Sequence, residues 1–228
     1  MISYTSPKFN NIFEKIKGIL LNNNININDS EQKLSNCIMN KIQLFFSSIL
    51  TPTNVFLSTP CPKCGKCHLE PFSSSYQRNI IFKIGNLLVN IKLHIPRLKC
   101  HNCNSTHALL PDFCIPLKQY SNQAILSIVD DATKTSTNNV AEQLNIDSKQ
   151  VRRFVNLLKT NKNNILLIYH KYSQKFKLKL IIDSTMNDIL FLIPKDFNRL
   201  FFREFKYVFL YNIKNNRKLY MQYKKLSI

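Results

Sequence analysis

Apolar residues return every three or four positions through the first fifty residues of the chain. Phe9, Ile12, Phe13, Ile16, Ile19 and Leu20 form one stripe, and Leu34, Ile38, Ile42, Phe45 and Ile49 form a second. That spacing puts the apolar side chains on one face and predicts two amphipathic helices. Asp29-Ser30 offers an N-cap for the second, the low-complexity run Asn22 to Asn28 separates the two, and Thr51-Pro-Thr-Asn54 ends the unit. Cys37 falls inside the second helical pattern and is expected in its core, as is Cys114 between Phe113 and Ile115.

The period changes to two further along. Asn79-Ile-Ile-Phe-Lys-Ile84 is β-branched and aromatic, Gly85-Asn86 is a turn pair, and Val89, Ile91, Leu93 and Ile95 then alternate with Asn90, Lys92, His94 and Pro96. This predicts a β-hairpin with a two-residue loop, its second strand running through to Lys99. Pro96 has no N–H for a ladder, so it belongs at an edge or a bend.

A helical period resumes with Ala124, Ile125, Ile128, Val129 and Ala132, predicting a helix over Ser121 to Lys134. Thr137 to Phe154 then fits a helix-turn-helix: Val140, Ala141, Leu144, Ile146, Val151 and Phe154 fall at buried positions, and Ala141 is small where the helices cross. Asn145 takes the tight turn, where its tolerance of left-handed backbone serves, and Asp147-Ser148 caps the second helix. That helix would expose Lys149, Gln150, Arg152 and Arg153, long donors able to reach base edges in a major groove, with Lys159 and Lys162 nearer to phosphate. A plain helical hairpin with a solvated basic face has the same pattern.

Charge adds a class of partner. The 228 residues carry a formal net charge of +19. Eight basic residues face two acidic over 60–120, and thirteen face four over 169–228, so these two stretches hold most of the excess. A polyanion gains from such a surface through counterion release and steering. Abundant Asn, Ile and Lys with only three glycines also point to a compositional bias that inflates the lysine count.

The candidate chemistry lies in two clips, Cys61-Pro-Lys-Cys64 and Cys100-His-Asn-Cys103. Four thiolates in paired CxxC clips suit a tetrahedral structural Zn²⁺ and leave no open coordination position for catalysis. Residues 65–99 separate the clips, more than the usual span of about 15–20, and the predicted hairpin absorbs the excess. A disulfide pair, a redox CxxC and unrelated buried thiols are the other readings of these cysteines. Cys67 and His68 beside the first clip, and His101 and His107 around the second, are placed to substitute for a ligand. No stretch has the pattern of a signal peptide or approaches the roughly 18 apolar residues of a membrane span, which points to a reducing cytoplasm where paired clips favour metal.

Cys61-Pro-Lys-Cys-Gly65, Ile95-Pro-Arg-Leu-Lys-Cys-His-Asn-Cys103, Thr106-His-Ala-Leu-Leu-Pro111 and Tyr120-Ser121 together resemble a family of uncharacterised bacterial zinc-ribbon proteins related to the zinc-ribbon and helix-turn-helix heads of insertion-sequence transposases. The resemblance covers about 60–160. It implies zinc ligation by Cys61, Cys64, Cys100 and Cys103 and a DNA-binding role in a mobile element. Two departures stand out: Asn104 replaces the glycine usual after the second clip, and Cys67 is an extra thiol.

These readings combine into an α+β chain with a helical region over 1–58, a small zinc-ribbon β-hairpin domain over 59–118, a helix-turn-helix over 119–165 and a basic, aromatic extension over 166–228. The function expected is non-catalytic, zinc-dependent binding of double-stranded DNA, with RNA or single strands also suited to the Lys, Arg, Phe and Tyr of the extension. Two rivals are a DDE-type transposase and a zinc-ribbon adaptor for a protein partner. The first needs three carboxylates around two metal ions. Asp183 after Leu180-Ile-Ile182 imitates one, but the 45 residues beyond it are too few for the sheet, leaving Asp188, Asp196 and Glu204 as solvated or capping groups. His170 has no partner at ligand spacing and is expected to be structural.

Overall fold

A computed structural model describes residues 2–4, 12–29, 34–49, 60–66, 69–111, 113–176, 200–201, 204–205 and 210. The fold is α+β. Its elements, in chain order, are β1 (Ile2–Tyr4), α1 (Ile12–Leu21), α2 (Asn36–Ile49), β2 (Leu69–Ile84), β3 (Leu87–Cys100), β4 (Thr106–Pro111), α3 (Asn122–Lys134), α4 (Thr137–Gln143) and α5 (Ser148–Phe176). Strands β2, β3 and β4 pair antiparallel, and β1 adds to β4 in parallel, giving the order β1-β4-β3-β2.

The hairpin has the expected two-residue loop, with Ile84 opposite Leu87. Gly85 stands at φ +59°, the left-handed conformation that such turns demand at their first position. A Cβ there would also lie 2.4 Å from the Ile27 carbonyl oxygen, which accepts a hydrogen bond from Asn86 N–H at 2.8 Å. Both constraints select glycine. The alternation along β3 holds: Leu87, Val89, Ile91, Leu93 and Ile95 are buried, while Asn90, Lys92 and His94 are exposed. Pro96 sits where the β2 register slips between Phe72 and Tyr76, one residue before β4 begins to pair, so its missing N–H falls in a gap of both ladders.

Each face of the hairpin carries a different layer. Ile80, Phe82, Ile84, Leu87, Val89, Ile91, Leu93 and Ile95 point one way and form one core with Ile16 and Leu20 of α1 and with Ile38 and Ile42 of α2. These four helical residues thus share one core with the sheet. Cys37 does not follow its helix into that core. It is exposed, because α2 directs Ile38 and Ile42 inward and the preceding position is turned about 100° away from them.

Ile81, Lys83 and Leu88 point to the opposite face, where α3 lies. Lys83 is 5% exposed, yet its ammonium is fully engaged: Asp131 Oδ2 of α3 at 2.7 Å, Gly85 O at 2.7 Å and Ser127 Oγ at 3.3 Å. The segment before α3 runs beside β2, with Ile81 N–H donating to Gln119 O at 2.7 Å and Ser121 N–H to Ile81 O at 2.9 Å. Arg78 donates to the Ile115 and Lys118 carbonyls of the same segment. These bonds cover part of an otherwise open strand edge and fix α3 to the hairpin.

Helices α3, α4 and α5 close a second core from Ile125, Ile128, Val129, Val140, Ala141, Leu144, Val151, Phe154 and Leu158. Helix α5 continues well past 165, and Leu200, Phe201 and Leu210 also bury themselves in this core. Lys171 and Glu204 pair at 2.6 Å beside it, so this carboxylate is an ion-pair partner. Asp183, Asp188, Asp196 and most of the aromatic extension lie outside the described residues. No helix among the described residues is long and apolar enough to cross a membrane.

Candidate metal centre and helical surface

The two clips are local copies of one turn. In the first, Gly65 N–H donates to Cys61 O at 2.8 Å, Cys61 N–H donates to Lys66 O at 2.9 Å, and Gly65 takes φ +75°. In the second, Cys100 N–H donates to Ser105 O at 2.9 Å, and Asn104 stands at φ +54° in the place of that glycine. Asparagine bears this conformation at modest cost, which accounts for the departure after the second clip. Strand β3 delivers Cys100 directly, and Leu69, Leu98 and Leu109 pack beneath the clips.

Cys61, Cys64, Cys100 and Cys103 come together: their four sulfurs lie within 4.8 Å of one another. Across the clips, Cys61 Sγ is 3.6 Å from Cys103 Sγ, and Cys64 Sγ is 3.6 Å from Cys100 Sγ. A disulfide needs about 2.05 Å. A tetrahedral ion with metal–sulfur bonds of about 2.3 Å sets its sulfurs about 3.8 Å apart, so the group could hold a metal ion. Burial pushes the Cys61 thiol up to about 12, whereas hydrogen bonds from Ser105 draw Cys103 down to about 6.

The nearby substitutes sort differently. His101 is turned away, with Nε2 2.6 Å from Glu70 Oε2 in an exposed pair. His107 lies outside the four-sulfur group but is 5% exposed, and its Nε2 is 3.2 Å from Cys61 Sγ. Burial, with the charge of Lys63, lowers its pKa to about 4. Cys67 and His68 lie outside the described residues, and Cys114 is buried as expected.

Hydrogen bonds at the helix ends fix the second candidate surface. Ser121 Oγ accepts from Ala124 N–H at 3.1 Å and Ser136 Oγ from Asn139 N–H at 3.1 Å, capping α3 and α4. Helix α4 ends in a Schellman motif: Ile146 N–H donates to Ala141 O at 2.9 Å and Asn145 N–H to Glu142 O at 3.1 Å, with Asn145 at φ +50°. Asp147 Oδ1 then accepts from Lys149 N–H at 2.8 Å and starts α5. Val140, Ala141, Leu144, Val151 and Phe154 are buried, Ile146 packs against them, and Tyr120 meets Phe154 edge-on at 5.0 Å. Lys149, Arg152, Arg153 and Lys159 are exposed, while Gln150 and Lys162 are partly covered. Arg152 Nη2 donates to Asn138 Oδ1 of α4 at 3.3 Å.

The two surfaces belong to different ends of the hairpin. Leu69 opposite Cys100 marks the sulfur end, and Lys83 opposite Leu88 marks the end where α3 docks. At about 3.3 Å per strand residue the two ends of the hairpin stand roughly 40 Å apart.

A family model described as a domain of unknown function, DUF6431, matches residues 61–154, less than half of the chain. The match opens on the first clip cysteine and closes on Phe154 of α5. No curated protein and no solved structure matches the chain.

Proposed function

We propose that this chain is a non-catalytic DNA-binding protein in which a structural zinc ion holds the cysteine end and α5 reads the duplex. Zinc suits four sulfurs and no water, because a closed tetrahedral site binds without offering a reactive position. Paired free thiols in that site also suit a reducing cytoplasmic setting.

The observation that carries the DNA reading is the turn at Asn145. It crosses α4 and α5 around a small Ala141 and leaves Lys149, Arg152 and Arg153 exposed on the first turns of α5, where a recognition helix meets base edges. Asn138 holds Arg152 in place from the preceding helix, which lowers the entropy lost on contact. Docking of α3 on the hairpin keeps the pair from swinging freely. Lys63 and Lys66, exposed at the sulfur end, are then available to a second stretch of phosphate. The resemblance to transposase heads points the same way and suggests a mobile-element context.

Salt-titrated anisotropy with a labelled duplex tests this reading. Arg152→Ala and Arg153→Ala are each expected to weaken duplex binding by about 1–3 kcal/mol, while Lys159→Ala, nearer to phosphate, flattens the dependence of log K on log salt by up to about 0.9. Unchanged affinity in both arginine variants would discard α5 as the reader. Tighter binding to single-stranded DNA or RNA would move the activity to the aromatic extension.

A further inference from the structure

We infer that His107 is a fifth member of the metal centre, donating its Nε2–H to the Cys61 thiolate without ligating the ion. This rests on the zinc reading above. Cys61 is 0% exposed, so no water reaches its sulfur. Four thiolates on a divalent ion leave two negative charges in excess, and a buried sulfur needs hydrogen-bond donors from the protein. Lys63 N–H approaches Cys61 Sγ at 3.4 Å, and the His107 ring nitrogen approaches it at 3.2 Å.

The chemistry fixes which partner donates. A metal-bound thiolate carries no proton, so the hydrogen between these atoms belongs to Nε2 whatever the charge on the ring. Position excludes ligation in the arrangement seen. The sulfurs of Cys64, Cys100 and Cys103 complete the four-atom group with Cys61, and His107 touches that group through Cys61. The ring is held there by β4, which pairs His107 with Leu98 and buries it beside Leu109. A role for this histidine also accounts for a polar residue in a strand whose buried neighbours are apolar.

The test uses the full chain loaded with ¹¹³Cd in place of zinc. A proton–cadmium correlation should link the metal to the His107 ring N–H through Cys61 Sγ, and a competing chelator should strip zinc from His107→Leu about 10- to 100-fold more readily than from the parent chain. His107→Gln keeps an amide donor near the Nε2 position and should recover most of that loss. Cadmium bound with no ring-proton correlation overturns this inference alone, as does a direct ring-nitrogen bond to cadmium. A chain that takes up neither metal overturns the zinc reading with it.

Discussion

Removing one partner of the Lys83–Asp131 pair tests whether the helical unit is fixed to the hairpin. Lys83 is 5% exposed, whereas the Asp131 side chain is 31% exposed. The two deletions are therefore unequal. Asp131→Ala leaves a buried ammonium with only the Gly85 carbonyl and the Ser127 hydroxyl, and the full cost of an orphaned buried charge, about 3–5 kcal/mol, applies. Lys83→Met keeps the aliphatic stem and leaves a carboxylate that water can reach. Its expected cost is about half as large, roughly 1.5–2.5 kcal/mol. At about 2–4 °C per kcal/mol for a chain of this size, the first lowers Tm by roughly 6–20 °C and the second by roughly 3–10 °C. Urea unfolding of both single variants and of Lys83→Met/Asp131→Ala, with metal held in excess, measures the coupling. Costs that add within about 0.5 kcal/mol, or a larger loss for Lys83→Met, would refute the buried pair as the fastening between β2 and α3.

Other consequences are smaller in scope. Asn145→Gly should leave stability within about 0.5 kcal/mol, while Asn145→Val should cost about 1–2 kcal/mol in thermal unfolding, because only the former relieves the left-handed φ of +50°. Metal uptake should depend on pH. The Cys61 thiol, raised to about 12 by burial, still holds its proton across the neutral range, so each bound ion displaces it and apparent affinity rises as pH rises. Cys103, lowered to about 6, has already lost its proton above that pH and adds to the slope only below it, which a chelator competition from pH 5 to 8 would register as a steeper acid limb. Substitution of Arg152 or Arg153 by alanine should weaken duplex binding by about 1–3 kcal/mol in an anisotropy titration, whereas substitution of Lys159 should lower its salt slope.

Much of the architecture was visible where local chemistry and tertiary packing agree. The β3 alternation survives because one face is buried in the core it shares with α1 and α2, and Gly85-Asn86 was legible because a two-residue loop demands a positive φ. Asn145 and Asp147 were readable for similar reasons, since capping and left-handed turns leave marks in single residues. The first half of β2 left no such mark. Glu70 to Gln77 is serine-rich and mostly exposed, and its extended form comes from pairing with β3. Pairing of β1 with β4 depends on residues more than a hundred positions apart, which no local window sees.

At the sites, the clips were legible because ligand spacing is itself the signal. The sequence marks His107 only as a substitute ligand near the second clip, and its place beside Cys61 follows from the pairing of β4 with β3. Lys83 looked like any polar residue in a hairpin. Its partner lies in α3, and the pattern of β2 alone gives no reason to bury an ammonium. Cys37 is exposed although it falls in the helical pattern, because helical spacing defines a stripe but not its edges, and one position of offset turns a side chain out of the core.

Everything proposed for the cysteine end requires four sulfurs sharing one ion, and native mass spectrometry of the intact, reduced chain measures that most directly. One zinc per chain is predicted, lost when Cys100 and Cys103 are both replaced by serine. A metal-free parent chain, or a zinc content that survives the double replacement, would contradict it.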